Sequence, residues 1–501
     1  MLTALTGSRP PIFLMLLAIS LSAMLSGCSD GGGGGGSSNT TPGTTPTSSA
    51  TTTALVSTGP ITSFGSVVLN GIEFDTTQAE IRVEDQIVRE DELHIGMRVT
   101  VEGVRDSSGV VRATRVVFRK NVEGLIDSID VVNNRLVVLG QTVLADSLTV
   151  IEDCAQSSSI AFSALTVGQF VEVSGLVDAN GTILATRIER KTGFIAGVTE
   201  VEVRSTLSSL DTNARIFMLG PLTVDFRTAT VVGLLSNGVF VQVRGRQTTP
   251  GSIIATRVTV EDPTVSGAAG TKIEVEGFVT AFTSATVFRV NGQAVTTTAQ
   301  TVLENGTVTD LAQNARLEVE GQLDTNGTLV AEKISFRRRN GGNVRIEADV
   351  EAVTTTTVTL LGLVVRVDTL TQFKDDMGGE RNFRFDRIRL GDHLEIRGVI
   401  DAQGNIVATR LHRRPTTEVV LQGPVDSISP PNLVIRGVGI RTNAATVFKD
   451  FSPTGTTAAQ FFAVLRSGTL VKVKGVLLRG TPVAIQATQV ELADSDRDDD
   501  L

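Results

Sequence analysis

Tryptophan and tyrosine are missing from this sequence, and 21 phenylalanines make up the whole aromatic complement of 501 residues. The two absentees are the side chains that most often stack on sugars or anchor an interface hot spot, so recognition through an aromatic platform is disfavoured. Cysteine and histidine are scarce as well: Cys28 and Cys154, then His94, His393 and His412. No two of them stand at a metal-ligand spacing, which argues against a zinc or redox centre and leaves no cofactor or metal site to expect. Basic charge is short too, with 45 Lys and Arg against 54 Asp and Glu and a formal net charge of -9. A nucleic-acid binder needs a positive field to displace counterions from phosphates, so no nucleic-acid partner is expected. No Ser-His-Asp set or carboxylate pair can be assigned to one site, so enzymatic activity and catalytic residues are not expected either.

What is present begins with an address. Arg9 precedes an apolar run over residues 12–25, shorter than the ~20 residues of a spanning helix. The run ends in Leu25-Ser26-Gly27-Cys28, which resembles the lipobox of bacterial lipoproteins. The resemblance implies a signal peptide over residues 1–27, cleavage before Cys28, and acyl chains on Cys28 that together make a stable membrane anchor. Ser29, standing where inner-membrane retention signals often carry Asp, points to the outer membrane of a bacterial cell envelope. Residues 28–58 read as a disordered tether: glycines from Gly31 to Gly36, then Ser, Thr, Asn and Pro, too polar to offset the entropy of ordering. As a flexible coil such a tether would span roughly 30 Å.

The remainder is a repeat. Its marker is a strand ending in Gly, a polar turn, and a second strand carrying an Ala-Thr-Arg-like triplet. Gly103 is followed by Ala113-Thr114-Arg115, Gly175 by Ala185-Thr186-Arg187, and Gly245 by Ala255-Thr256-Arg257. Gly321 is followed by Ala331-Glu332-Lys333, Gly398 by Ala408-Thr409-Arg410, and Gly475 by Ala487-Thr488-Gln489. Six marker glycines spaced 70 to 77 residues apart exclude chance. They divide the chain into β domains over 59–121, 122–192, 193–263, 271–340, 344–415 and 417–494, with an acidic tail over 495–501.

Each copy shares one internal grammar. An opening strand, such as the one from Val122 to Ile129, alternates apolar and polar residues in part, as a half-buried strand should. A hairpin follows, and Asn70-Gly71, Asn180-Gly181, Asn291-Gly292 and Asn326-Gly327 mark tight turns. Segments closing on Gly96, Gly168 and Gly468 read as single helical turns with a glycine stop. Three strands, a helical turn and two more strands is the order of an OB-type barrel, and about 70 residues suffice for such a core. The predicted fold is therefore all-β, six tandem small OB-like five-stranded barrels after a disordered tether. A solenoid would have shorter repeats without their own hairpins, and an immunoglobulin-like sandwich would need seven strands.

Lipobox, tether and repeat together resemble bacterial proteins that carry the domain of unknown function 5666. The first copy matches most closely, through Gly59-Pro60-Ile61-Thr62-Ser63-Phe64-Gly65-Ser66-Val67, Asn70-Gly71-Ile72-Glu73-Phe74 and Gly96-Met97-Arg98-Val99-Thr100-Val101-Glu102-Gly103. The third copy departs from it by losing the Asn-Gly of the first hairpin. The resemblance, over about residues 59 to 494, implies fold and location and brings no catalytic residue.

Candidate chemistry is sparse. Arg115, Arg187, Arg257 and Arg410 recur at one repeat position, read either as a ladder of anion sites or as stems packed on the barrel with heads paired to a strand Glu. The structural reading is the one expected of a repeated fold. Arg337-Arg338-Arg339 and His412-Arg413-Arg414 lie at domain junctions and read as solvated connectors. Asp494 to Asp500 resembles the start of a calcium loop but lacks its turning Gly and closing Glu. Cys154 is a lone thiol among acidic neighbours, which blunt its reactivity. Two functions follow: a membrane-anchored structural or interaction protein presenting a string of barrels to envelope proteins, or a module binding surface glycans in OB-type grooves. Stacking at Phe64 or Phe282 would favour the second. Six barrels in line would reach roughly 150 Å.

Overall fold

Period-two alternation sends one face of each strand into a barrel and leaves the other outside. The fourth strand of copy 4, Arg316–Leu323, buries Leu317, Val319 and Leu323 in the core and turns Glu318 and Glu320 outward. The computed structural model describes residues 52–155, 158–337, 343–378, 383–401, 403–415, 418–450, 456–478, 480 and 482–493. The signal peptide, Cys28, the tether up to residue 51, Arg338, Arg339 and the acidic tail lie outside the described residues.

Copy 4 shows the barrel in full. Its first strand, Lys272–Ser284, pairs antiparallel with the fourth and with the second, Val287–Val290. The second pairs with the third, Gln293–Thr296, which runs parallel to the fifth, Leu329–Phe336. The fifth returns to the fourth and closes the ring. The expected five strands are therefore there, in the order first, second, third, fifth, fourth. Copies 2 and 6 close in the same way on unbroken first strands, Val122–Asp130 and Val419–Ser429. In copies 1, 3 and 5 the first strand is interrupted after Thr53–Pro60, Glu200–Thr206 and Val344–Asp349.

The structure adds a short strand between hairpin and helical turn that the sequence did not suggest. In copy 4 it is Val302–Glu304, lying parallel to the fifth strand. The helical turns sit earlier than expected, at Glu90–Glu92, Phe162–Ala164, Val308–Asp310 and Phe385–Arg387, with one α-helix at Ala458–Val464. The residues read as glycine stops do something else. Gly96, Gly168, Gly238, Asn314, Gly391 and Gly468 all adopt positive φ, where Gly and Asn are least strained. Each donates its N–H to a carbonyl within the first strand or, in copies 1, 3 and 5, just past its interruption, of Ile61, Ile126, Leu207, Val279, Val350 and Val425 respectively, at 2.8 to 3.0 Å. This latch fixes the turn across the end of every barrel.

The marker glycines have a steric cause. Each stands at a register shift between the fourth and fifth strands. A Cβ there would come within 2.0 to 2.7 Å of a fifth-strand carbonyl oxygen, on Arg112, Leu184, Ile254, Val330, Val407 or Gln486. The facing Ala of the triplet is buried in all six copies. Its neighbour Thr114, Thr186, Thr256, Thr409 or Thr488 donates its hydroxyl to the carbonyl just before the bulge at 3.1 to 3.2 Å. The recurring Gly and Ala-Thr are thus one bulge, its backbone satisfied by the Thr.

One boundary differs from expectation. The first strand starts at Thr53, inside the span assigned to the tether, because Leu55 and Val56 supply the apolar residues a strand can bury. The last described strand, Ala484–Leu492, lies within the expected sixth domain. The barrels do not form a simple string: first strands join them in pairs. Copies 2 and 3 pair antiparallel through Val122 and Val203, and copies 5 and 6 through Ile346 and Leu421. Copies 1 and 4, far apart in sequence, pair in parallel, with Leu55 to Thr58 beside Lys272 to Val275. Each seam makes two barrels one continuous sheet.

Candidate functional site

The seams are where charge gathers. On the two rungs before a marker glycine, outward residues of the first and fourth strands meet a neighbouring barrel in the seams, most completely in copies 2, 3 and 5. In copies 2 and 3 this gives Glu123 with Glu172, Glu202 with Arg244, and Arg204 with Gln242. Arg204 is buried, and its guanidinium bridges Glu84 of copy 1 at 2.5 Å, Glu202 at 2.5 Å and Glu261 at 3.1 Å. Burial opposes its charge, but these three carboxylates outweigh that and raise its pKa. Lys120 does the same between Glu123, at 2.6 Å, and Glu172, at 3.3 Å.

Copy 2 holds further neighbours through its last strand and the loop around Ser147. Thr186 donates its hydroxyl to the Gly96 carbonyl of copy 1 at 2.6 Å, and Ser174 Oγ accepts from the Arg98 N–H at 2.8 Å. Phe278 of copy 4 packs with Leu176 and Leu184, and Asn314 Oδ1 accepts from the Ala179 N–H at 2.9 Å. Copy 5 brings Lys374, buried, against Glu152, while Arg410 donates to the Ser147 carbonyl at 3.1 Å. Burial alone would raise the Glu152 carboxyl, but Arg187 and Lys374 together hold it far below the usual range. Removing one partner of such a buried pair leaves an uncompensated charge, at a cost of about 3 to 5 kcal/mol.

The residues singled out in the sequence separate accordingly. Arg187 is buried, 2.8 Å from Glu152 and 3.2 Å from Glu189, and donates to the Ile95 carbonyl at 3.3 Å. Arg410 lies in the contact with copy 2. Arg115 is solvent-facing, 3.6 Å from Glu102, and Arg257 is exposed beside Thr259. The four do not form a ladder; two are spent on neighbouring barrels. Arg337 pairs with Glu318. The expected connector at 412–414 is instead drawn into copy 5. His412 Nε2 lies 2.8 Å from an Asp376 oxygen, Arg413 pairs with Asp375 at 2.6 Å and sits over the Phe383 ring, and Arg414 reaches Glu395 at 2.5 Å. Burial pushes the His412 pKa down, and Asp376 offsets only part of this. His393 Nδ1 is 2.8 Å from Asp349, and Cys154 is exposed.

Phe64 is buried in the first core, and among the described residues Phe282 is the one exposed phenylalanine, at 38%. A row of solvent-facing rings on which sugars could stack is therefore absent from the described residues. No group of three His, Cys, Asp or Glu among them is placed to hold a metal ion, and no described helix is long and apolar enough to cross a membrane. A set of threonines escaped the sequence reading: Thr149, Thr301, Thr371 and Thr446 each donate to the carbonyl of the triplet alanine, at 2.7 to 2.9 Å. Their shared spacing, five residues after the end of the third strand at Leu144, Thr296, Arg366 or Arg441, was the available signal.

Against known families, the model described as "Domain of unknown function (DUF5666)" matches six times, at residues 58–117, 123–189, 193–259, 276–335, 347–412 and 422–491. No curated protein matches. Among solved structures, the chain is similar to a multidomain protein with nucleic acid binding domains from Streptococcus pneumoniae. The two share 12% identity over 43% of this chain and 74% of that one, with a TM-score of 0.12.

Proposed function

Since this chain belongs to the DUF5666 family, with six copies in tandem, we propose that it is a membrane-anchored envelope lipoprotein whose barrels pack into one platform, a structural or interaction protein without catalysis. The observation that carries this reading is the use of the outward rungs. Charged outward faces of the first and fourth strands are turned here onto other barrels, where Arg204, Lys120 and Arg187 neutralise the carboxylates they meet. Such networks hold domains in one arrangement, which suits a scaffold that presents a fixed surface. Attachment through an acylated Cys28, by the outer membrane of a bacterial envelope, is supported by the Leu25-Ser26-Gly27-Cys28 sequence and the polar stretch behind it. Oligosaccharide binding loses support with the burial of the phenylalanines.

Metabolic labelling with a radioactive fatty acid tests the anchor. Label on the wild-type chain and none on Cys28→Ser, with the variant moving from the membrane to the soluble fraction, is the expected result. An unlabelled wild-type chain would contradict it. In-cell crosslinking then tests the platform: a discrete envelope partner recovered with the anchored chain is expected, and recovery of the chain alone would count against an interaction role.

A further inference from the structure

Four carboxylates occupy the two outward rungs of copy 4, Glu274 opposite Glu320 and Glu276 opposite Glu318. Three of them have a cation: Glu276 has Arg316 at 2.8 Å, Glu318 has Arg337, and Glu320 has Lys333 at 2.9 Å. Glu274 has none within ion-pair distance among the described residues. It is buried in the parallel seam, level with Ser57 of copy 1, whose hydroxyl donates to it across a long 3.4 Å. That hydroxyl in turn accepts from Asn70 Nδ2 at 2.9 Å. The charged groups facing Glu274 are Glu320 from the fourth strand, Lys333 from the fifth, and Arg105 from copy 1. Beside it, Val56 of copy 1 packs into the copy 4 core with Ile273 and Val275.

We propose that the joint between copies 1 and 4 is a pH-sensitive clasp, closed while Glu274 carries a proton and loosened when it ionises. A protonated carboxyl can lie buried beside Ser57 and opposite Glu320, whereas a carboxylate there is desolvated and repelled. Burial first, then the charge of Glu320, pushes the Glu274 carboxyl up to about 7, and Lys333, Arg105 and Ser57 offset only part of this. In an opened joint the group returns toward its ordinary value of 4.5. The raised value belongs to the closed state, so closure is fully favoured below the ordinary carboxylate range and is lost as pH rises through about 7. This inference does not depend on the anchor or on the platform's partners.

Hydrogen exchange on the full chain, followed by mass spectrometry on peptides covering Leu55 to Thr58 and Lys272 to Val275, tests it. After correction for the intrinsic rate, exchange from this seam should rise on the order of 50-fold between pH 5 and 7.5 and then level off. Peptides around Val122 and Val203, in the ion-paired seam, serve as the internal reference. Glu274→Gln should make the corrected exchange flat with pH, and a variant that follows the wild-type curve overturns the clasp. Should that variant misfold, Glu320→Gln at the half-exposed opposite position gives the second reading. Losing its charge lowers the Glu274 pKa, so the rise should be smaller and end at lower pH; an unchanged curve again overturns the proposal.

Discussion

Copies 4 and 5 share two outward rungs but place opposite charge on one of them. Where copy 4 sets Glu274 opposite Glu320, copy 5 sets Arg345 opposite Arg397, and in both the next rung is a Glu pair, Glu276 with Glu318 or Glu347 with Glu395. In copy 5 the cations therefore lie one rung from the anions: Arg345 is 3.1 Å from Glu347 and 3.4 Å from Glu395, and Arg397 is 2.9 Å from Glu395. In copy 4 the cations come from other positions, and among the described residues none comes within ion-pair distance of Glu274. The inward residues barely differ, Val275 facing Val319 against Ile346 facing Ile396, all buried. The apolar half of each strand thus sets the barrel, while the outward half is free to set how that barrel meets its neighbour.

The largest expected effect breaks the copy 5 side. Arg345→Ala leaves Glu347 and Glu395 buried with less compensation and should cost about 3 kcal/mol in urea unfolding. A loss below 1 kcal/mol would mean these pairs are solvated and the contrast with copy 4 is empty. Next is the bulge that both copies share. A Cβ at Gly321 would stand 2.0 Å from the Val330 carbonyl oxygen, whereas at Gly398 the distance to Val407 is 2.7 Å. Gly321→Ala should therefore be the more damaging, within the ~1 to 3 kcal/mol typical of forced overpacking. Equal losses would show that the backbone yields alike in both.

Acid sharpens the comparison further. Burial would raise the Glu395 carboxyl, but Arg397 and Arg345 hold it well below its ordinary value. Its stabilisation is present above the ordinary carboxylate range and is lost as pH falls through the depressed value. Lowering the pH should expose Arg345 to Ala348 amides to exchange while the Glu274 seam stays protected, the two copies responding in opposite senses. The smallest effect concerns one repeat position in two settings. Arg257→Ala, on an exposed side chain, should change thermal stability by no more than about 0.5 kcal/mol. Arg187→Ala, in the contact between copies 1, 2 and 5, should exceed it several-fold.

Much of the barrel was legible in the sequence because its constraints are local. Gly103 and Ala113, or Gly475 and Ala487, are close in sequence and face each other across one bulge, so a steric demand of the fold appears as a spacing. Other turns carried a fainter sign. Leu139 and Leu361 take positive φ at hairpin turns where Asn70 and Asn291 do so in copies 1 and 4, and both leucines are buried. The hairpin from Arg135 to Val143 was still legible from its two apolar runs, while the positive φ at Leu139 was not, since the core contact compensates a strain of about 1 to 2 kcal/mol. The short strand Val302–Glu304 is too brief for alternation to register. The seams were out of reach for a different reason: Ser57 and Glu274 are 217 residues apart, and nothing local to either names the other. For the same reason Arg410 and Arg257, identical in sequence context, have unlike surroundings.

Small-angle scattering on the chain starting at Thr52 measures the packing of the barrels most directly. The seams and the contacts centred on copy 2 predict a single body whose maximum dimension falls well short of the roughly 150 Å of six barrels in line. A maximum dimension near that length would contradict the account, because copies 1 and 4 could not then share a sheet.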